Sequence, residues 1–203
     1  NLDALRALGL EIVSSKPVFV TNAIHEEFAD NFFSSNGLVK DEVIGLNPSG
    51  TWPTKVWYPE KFAELAKMFP EKYKILIFWG YGKEKEDAEK LRAMIGSRAV
   101  LIPEAGLKYM AALAKRCKLF VTNDTGPMHI AWVSGVNTAA IFGPTNSELQ
   151  GPLSKNSIII KNEGLPCLGC NLTQITECPN SHKCMKDLEP AYVFDKITGF
   201  ISL

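Results

Sequence analysis

The sequence predicts an α/β fold, a doubly wound, Rossmann-like parallel sheet over residues 43–161, and three observations predict it. Short, continuously apolar runs alternate with longer stretches whose apolar residues recur at helical spacing. The runs lack the strict apolar–polar alternation of a sheet with one wet face, so helices should cover both faces. Glycine-containing and polar segments follow the runs, which is where such a sheet places its ligands, beyond the carboxyl ends of its strands.

Val43–Asn47 is the first apolar run, and Pro48-Ser49-Gly50 stops it. Residues 59–69 carry Phe62, Leu65, Ala66 and Phe69 at helical spacing. The pattern then gives a strand over 73–79, a helix over 84–95, a strand over 99–102 and a helix over 107–117. A strand over 119–122, a helix over 127–134 and strands over 138–142 and 157–161 complete it. Upstream, Leu2, Leu5, Leu8 and Leu10 suggest a helix ending at Gly9. Residues 17–20 read as a short strand and 22–35 as a helix. Nothing in residues 1–42 closes a domain, so they are expected to be the remnant of a preceding domain plus a linker. Residues 162–203 form a Cys-rich segment and a last helix that opens at Asp187-Leu188-Glu189-Pro190 and runs to about 201, with Pro190 in its first turn.

The 203 residues are 46% hydrophobic and 22% charged, enough to bury a core without staples. Lys and Arg number 22, as do Asp and Glu, so no overall basic field exists to attract nucleic acid. No apolar run reaches the roughly 18 residues of a membrane span, so membrane contact is expected to be at most peripheral. The start, Asn1-Leu2-Asp3, has neither Met nor the layout of a signal peptide, and is expected not to be the natural start. A cytoplasmic, reducing setting follows as the default.

Chemistry concentrates in three loops. In Asn123-Asp124-Thr125-Gly126-Pro127-Met128-His129 a strand ends and a helix begins at once. Asp124 or Thr125 can cap the first turn, Gly126 removes bulk, and Pro127 suits the first helical position. The open amides and dipole of a helix N-terminus suit a diphosphate, and His129 adds a ring donor. Capping alone accounts for every residue of this segment except His129. The loop Pro48-Ser49-Gly50-Thr51-Trp52-Pro53-Thr54-Lys55 offers close-approach donors and one cation. Lys55 can neutralise charge on a departing phosphate, or it is a solvated surface lysine. The loop is not a Walker A sequence. In Trp79-Gly80-Tyr81-Gly82-Lys83-Glu84 the glycines permit a tight turn, and Glu84 can take a ribose diol or simply favour a helix start.

Asp124-Thr125-Gly126-Pro127-Met128-His129 with Ala131, then Phe142-Gly143-Pro144-Thr145, all preceded by Lys55-Val56-Trp57-Tyr58-Pro59, resembles glycosyltransferase family 9. That family contains the ADP-heptose:lipopolysaccharide heptosyltransferases. The resemblance covers about residue 43 to the C-terminus. It implies the C-terminal, donor-binding half of a GT-B enzyme that is inverting and needs no metal for catalysis. It implies that the N-terminal, acceptor-side domain, remnant in residues 1–42, carries the catalytic base and is largely missing. Carried over by position, Ser49, Gly50, Lys55, Glu84, Asp124, Thr125, Gly126 and His129 line the donor, with Glu86 a rival to Glu84. Lys55 is the one catalytic candidate, as stabiliser of the leaving diphosphate. The implied donor is ADP-heptose and the implied acceptor the lipopolysaccharide inner core. The fragment alone is expected to be inactive.

Cys167 and Cys170 have the two-residue gap of a thiolate knuckle, and Cys178 and Cys184 follow with His182 nearby. The four fit a structural zinc, although the later gaps match no standard finger, or else four thiols in an ordered loop. Two functions of other classes stay open: a non-catalytic nucleotide-binding module, and a zinc-knuckle interaction protein with the α/β part as scaffold.

Overall fold

In the computed structural model every residue except Asn1, Val13 and Ser15 is described. Six parallel strands form one sheet in the order β3-β2-β1-β4-β5-β6. They are β1 (Val43–Asn47), β2 (Lys74–Ile77), β3 (Ala99–Leu101), β4 (Leu119–Asn123), β5 (Thr138–Ile141) and β6 (Ser157–Ile160). The helices are α1 (Leu2–Ala7), α2 (Ala23–Ser35), α3 (Pro59–Met68), α4 (Lys83–Ile95), α5 (Leu107–Ala114), α6 (Gly126–Val133), α7 (Ser147–Gln150), α8 (Lys183–Lys186) and α9 (Pro190–Phe200). The doubly wound parallel sheet is therefore as expected from the apolar runs. The direction of winding reverses between β1 and β4, which pair through Ile44 to Leu119 and Asn47 to Thr122. Loops leaving their carboxyl ends diverge there and open a crevice.

The central strands are buried along their whole length, as continuous apolar runs require. Trp57, Phe62, Phe78 and Phe120 are fully buried, and each contributes on the order of 1.5–3 kcal/mol of apolar burial. At the middle of β1 only glycine fits. A Cβ on Gly45 would lie 2.7 Å from the Phe120 ring. α9 closes the sheet edge against α3, with Phe69 and Phe194 edge to face at 5.5 Å and the Trp57 indole donating to the Leu188 carbonyl at 3.0 Å.

Upstream, α2 is anchored on α5 rather than trailing free. Arg116, 8% exposed, donates to both Glu26 and Asp30, at 2.9 and 2.6 Å, and Lys115 adds a bond to Glu26 at 3.1 Å. Asn22 caps α2 in a reciprocal capping box with His25. The strand expected over 17–20 does not form. Val18 and Val20 are exposed and no strand lies beside them, so an extended segment there has no ladder to join. The helices expected over 2–9 and 107–117 end early, at Ala7 and Ala114, in turns.

Candidate functional site at the sheet switch point

The crevice is built by two buried asparagines that end their strands. Asn47, at the end of β1, donates to the Thr122 and Thr125 hydroxyls, each at 3.1 Å. Asn123, at the end of β4, donates to the Pro48 carbonyl at 2.8 Å and accepts from the Trp57 backbone N–H at 3.1 Å. Polar side chains buried this deeply must be bonded, and here their bonds stitch the β1 loop to the β4 loop.

That stitching brings Lys55 to Asp124. Lys55 sits in a single 3-10 turn, Pro53–Lys55. Its Nζ lies 2.8 Å from Asp124 Oδ2, with the two side chains 15% and 5% exposed. The same ammonium stands 4.4 Å from the centre of the Trp52 ring. Asp124 Oδ2 also accepts from the Thr145 hydroxyl at 2.7 Å, so a third loop, after β5, joins the site. Lys55 is thus not a solvated surface lysine.

The capping expectation for the β4 loop is corrected. Neither Asp124 nor Thr125 caps α6, which begins with no side-chain cap at all. Asp124 is taken by Lys55 and Thr145, and the Thr125 hydroxyl by Asn47. The first amides of α6 are left without a side-chain partner, the condition under which a helix N-terminus receives an anion. A Cβ on Gly126 would meet nothing within 4 Å, so this glycine faces open space. The exposed His129 accepts at Nδ1 from the Trp132 indole at 3.2 Å. In the neutral ring the proton then lies on Nε2, the nitrogen left to meet a ligand.

Two hollows meet at Thr51, Thr125 and Gly126. One, of about 210 Å³, runs between Ser49, Gly50, Trp79, Tyr81, Met110 and Pro127, and its walls are chiefly apolar. The other, of about 500 Å³, is an open groove lined by Lys55, Asp124, His129 and the α7 residues Leu149 and Gln150. Of the sequence candidates, Ser49, Gly50, Glu84, Thr125 and Gly126 border the first, and Lys55, Asp124, Thr125, Gly126 and His129 the second. Glu84 reaches the first hollow while its Oε2 accepts the Gly80 N–H at 2.7 Å, closing the turn after β2. Glu86 is exposed on α4 and lines neither hollow.

The sequence of glycosyltransferase family 9 (heptosyltransferase) matches residues 3–179. The chain belongs to glycosyltransferase family 9. The match begins well before residue 43, so it takes in α1 and α2 as well as the sheet. Lipooligosaccharide heptosyltransferase 2 of Campylobacter jejuni serotype O:6 is 34% identical over 162 residues, covering 77% of this chain and 50% of its own. Lipopolysaccharide heptosyltransferase 2 of Salmonella typhimurium is 32% identical over 126 residues, covering 59% of this chain and 36% of its own. Among solved structures, a family 9 glycosyl transferase from Veillonella parvula superposes with a TM-score of 0.71 at 29% identity, over 78% of this chain and 47% of that one. The ADP-heptose heptosyltransferase II of E. coli shares the fold, with a TM-score of 0.70 at 23% identity, over 91% and 53% of the two chains. The chain thus spans about half the length of the Campylobacter jejuni heptosyltransferases it matches.

Among the described residues no three His, Cys, Asp or Glu side chains converge to hold a metal ion. Cys167, Cys170, Cys178 and Cys184 are all free thiols. Cys184 is buried against Gly143, and burial, then the nearby Cys167, Cys170 and Cys178, push its thiol up to about 11. As placed, these four sulfurs do not form the convergent tetrahedral set that a structural zinc needs. No helix among the described residues is long and apolar enough to cross a membrane.

Sequence reasoning missed Asn47, Asn123, Trp52 and Thr145. The first two carried a readable signal: a polar residue closing a fully apolar run has to be bonded at a strand end.

Proposed function

We propose that this chain is the donor-binding part of an inverting glycosyltransferase that moves a heptose from ADP-heptose to the lipopolysaccharide inner core. The observation that carries the reading is the Lys55–Asp124 pair at 2.8 Å, beside the uncapped start of α6. The curated relatives named above are heptosyltransferases of lipopolysaccharide and lipooligosaccharide, which supports the sugar and the acceptor class.

The apolar hollow suits a base against Trp79 and Met110, with Glu84 offering its second carboxylate oxygen to the ribose. The diphosphate then passes over Gly126 onto the α6 amides, with His129 Nε2–H and the Lys55 ammonium as further donors. The sugar lies in the open groove. As the bond to the anomeric carbon breaks, negative charge grows on the diphosphate, and Lys55, aimed by Asp124 and backed by Trp52, meets it. Deprotonating the acceptor hydroxyl needs a carboxylate base, and Asp124 is already committed to Lys55 and Thr145. That base belongs to the acceptor-side half, to which residues 1–42 lead. The isolated chain is accordingly inactive in transfer, and works at the cytoplasmic face of the inner membrane when joined to that half.

Calorimetry with ADP, UDP and GDP tests the donor reading. ADP should bind best, at about 0.1–1 mM with half the cleft absent. No binding of any of the three at several millimolar would remove it, and would leave a non-nucleotide interaction module as the alternative. A structural zinc on Cys167, Cys170, Cys178 and Cys184 rests on the two-residue Cys167–Cys170 gap alone, and would require the four sulfurs to move together from where they lie. One metal per purified chain by elemental analysis would establish it.

A further inference from the structure

The Cys-rich segment grips the turn that carries Lys55. Thr54, the residue before that lysine, is 1% exposed and held from both of its polar groups. Its hydroxyl donates to the Leu172 carbonyl at 2.6 Å, and its own carbonyl lies 2.7 Å from His182 Nε2. Leu172 and His182 both belong to the Cys-rich segment.

His182 is 2% exposed, and its ring is fixed from both sides. A carbonyl can only accept, so the Thr54 contact requires the proton on Nε2. Nδ1 is then the acceptor, and the Tyr58 hydroxyl, 3.1 Å away, donates to it. Tyr58 lies three residues beyond Lys55, so one imidazole ties down both ends of the stretch. Reaching this position demands left-handed backbone at two successive non-glycine residues, Ser181 with φ 52° and His182 with φ 58°. Such residues are costly and persist where surrounding contacts hold them. The Cys178 sulfur accepting the His182 N–H at 3.3 Å is one of those contacts.

We propose that His182 is a positioning residue for Lys55, which makes the Cys-rich segment a buttress of the donor site rather than a site of its own. The proposal rests on the donor reading above. It deepens that reading by naming what holds the catalytic lysine at the height where it meets both Asp124 and a diphosphate. Without the Nε2–H bond a buried carbonyl loses its donor, the Thr54 turn loosens, and Lys55 spends less time in place.

A double-mutant cycle on the 203-residue chain tests it, read by ADP affinity. His182→Phe keeps a ring and the same backbone demand but deletes the donor, and should weaken ADP about tenfold. His182→Gln places an amide N–H near the former Nε2 and should restore most of the affinity. In a Lys55→Ala background His182→Phe should have no further effect. An equal loss with and without Lys55 would show general damage and overturn the proposal, as would failure of Gln to rescue a chain that melts normally. If His182→Phe does not fold, nitrogen NMR of the unaltered protein decides. The protein has only three histidines, and His182 must show its proton on Nε2. A proton on Nδ1 overturns the strut by itself. Absence of ADP binding to the unaltered chain would instead overturn the donor reading, a different result from a misplaced ring proton.

Discussion

Lys55 and Asp124 come from loops after β1 and β4 and meet at 2.8 Å across the point where the sheet reverses its winding. Both side chains are largely buried, so neither partner can lose the other cheaply. Lys55→Ala and Asp124→Ala should each lower unfolding free energy by about 2–4 kcal/mol in urea. The double variant should cost less than the sum, with a coupling on the order of 1–3 kcal/mol. Additive losses would mean that the pair is not formed in solution.

Gly126 separates folding from binding. Nothing lies within 4 Å of a Cβ built there, and it opens α6, so Gly126→Ala should change stability by no more than about 0.5–1 kcal/mol. The added methyl group stands where the two hollows meet and should weaken ADP severalfold by calorimetry. Unchanged affinity would place the nucleotide elsewhere.

Gly45 is the reverse case. A Cβ there meets the Phe120 ring at 2.7 Å, Cys117 Sγ at 3.2 Å and Phe78 at 3.2 Å, all in the close-packed centre. Gly45→Ala should cost about 1–3 kcal/mol in a urea melt while sparing the order of nucleotide preference. A neutral substitution would mean that β1 packs more loosely than the structure shows.

Glu26 makes α2 docking sensitive to acid. Burial alone would raise its carboxyl, but bonds from Thr21, Arg116 and Lys115 outweigh that and hold it near 2 instead of the ordinary 4.5. The unfolded chain therefore takes up the proton first as pH falls. The contribution is fully present above about pH 4.5 and is lost as pH drops through 2. Glu26→Gln should be the less stable protein at pH 7, with the gap to the unaltered chain narrowing towards pH 2. The carboxylate is partly exposed, so solvent screening keeps the gap small. Parallel pH profiles for the two proteins would contradict the ion cluster.

The thiols should separate by exposure. Burial pushes Cys117 well above its ordinary range and Cys184 up to about 11, whereas Cys170 is exposed. In the native chain a thiol reagent should modify Cys170 first and reach Cys117 and Cys184 only on unfolding. Protection of Cys170 together with the other three would speak for a metal held by the four.

The sheet was legible because each strand is one apolar run bounded by a polar stop, and the two site loops because they follow such runs. Lys55 could be placed after a strand but not next to Asp124, since that meeting depends on β1 and β4 being neighbours, a matter of strand order between residues 69 positions apart. Thr125 read as a cap because caps are local, while its real partner, Asn47, is remote in sequence. The valines at 18 and 20 read as a strand because β-propensity is local too, and a strand exists only beside another. His182 gave no signal of its own, since its role is set by Thr54 and Tyr58, far upstream.

The most direct test of the central claim, that the switch-point crevice holds a nucleoside diphosphate, is an ADP titration of the 203-residue chain followed by backbone amide NMR. The account predicts that the largest shifts fall on Gly50, Thr51, Thr125 and Gly126, the residues bordering the hollows, with saturation at about 0.1–1 mM. Unmoved amides at several millimolar ADP, or shifts confined to residues outside these loops, would contradict it.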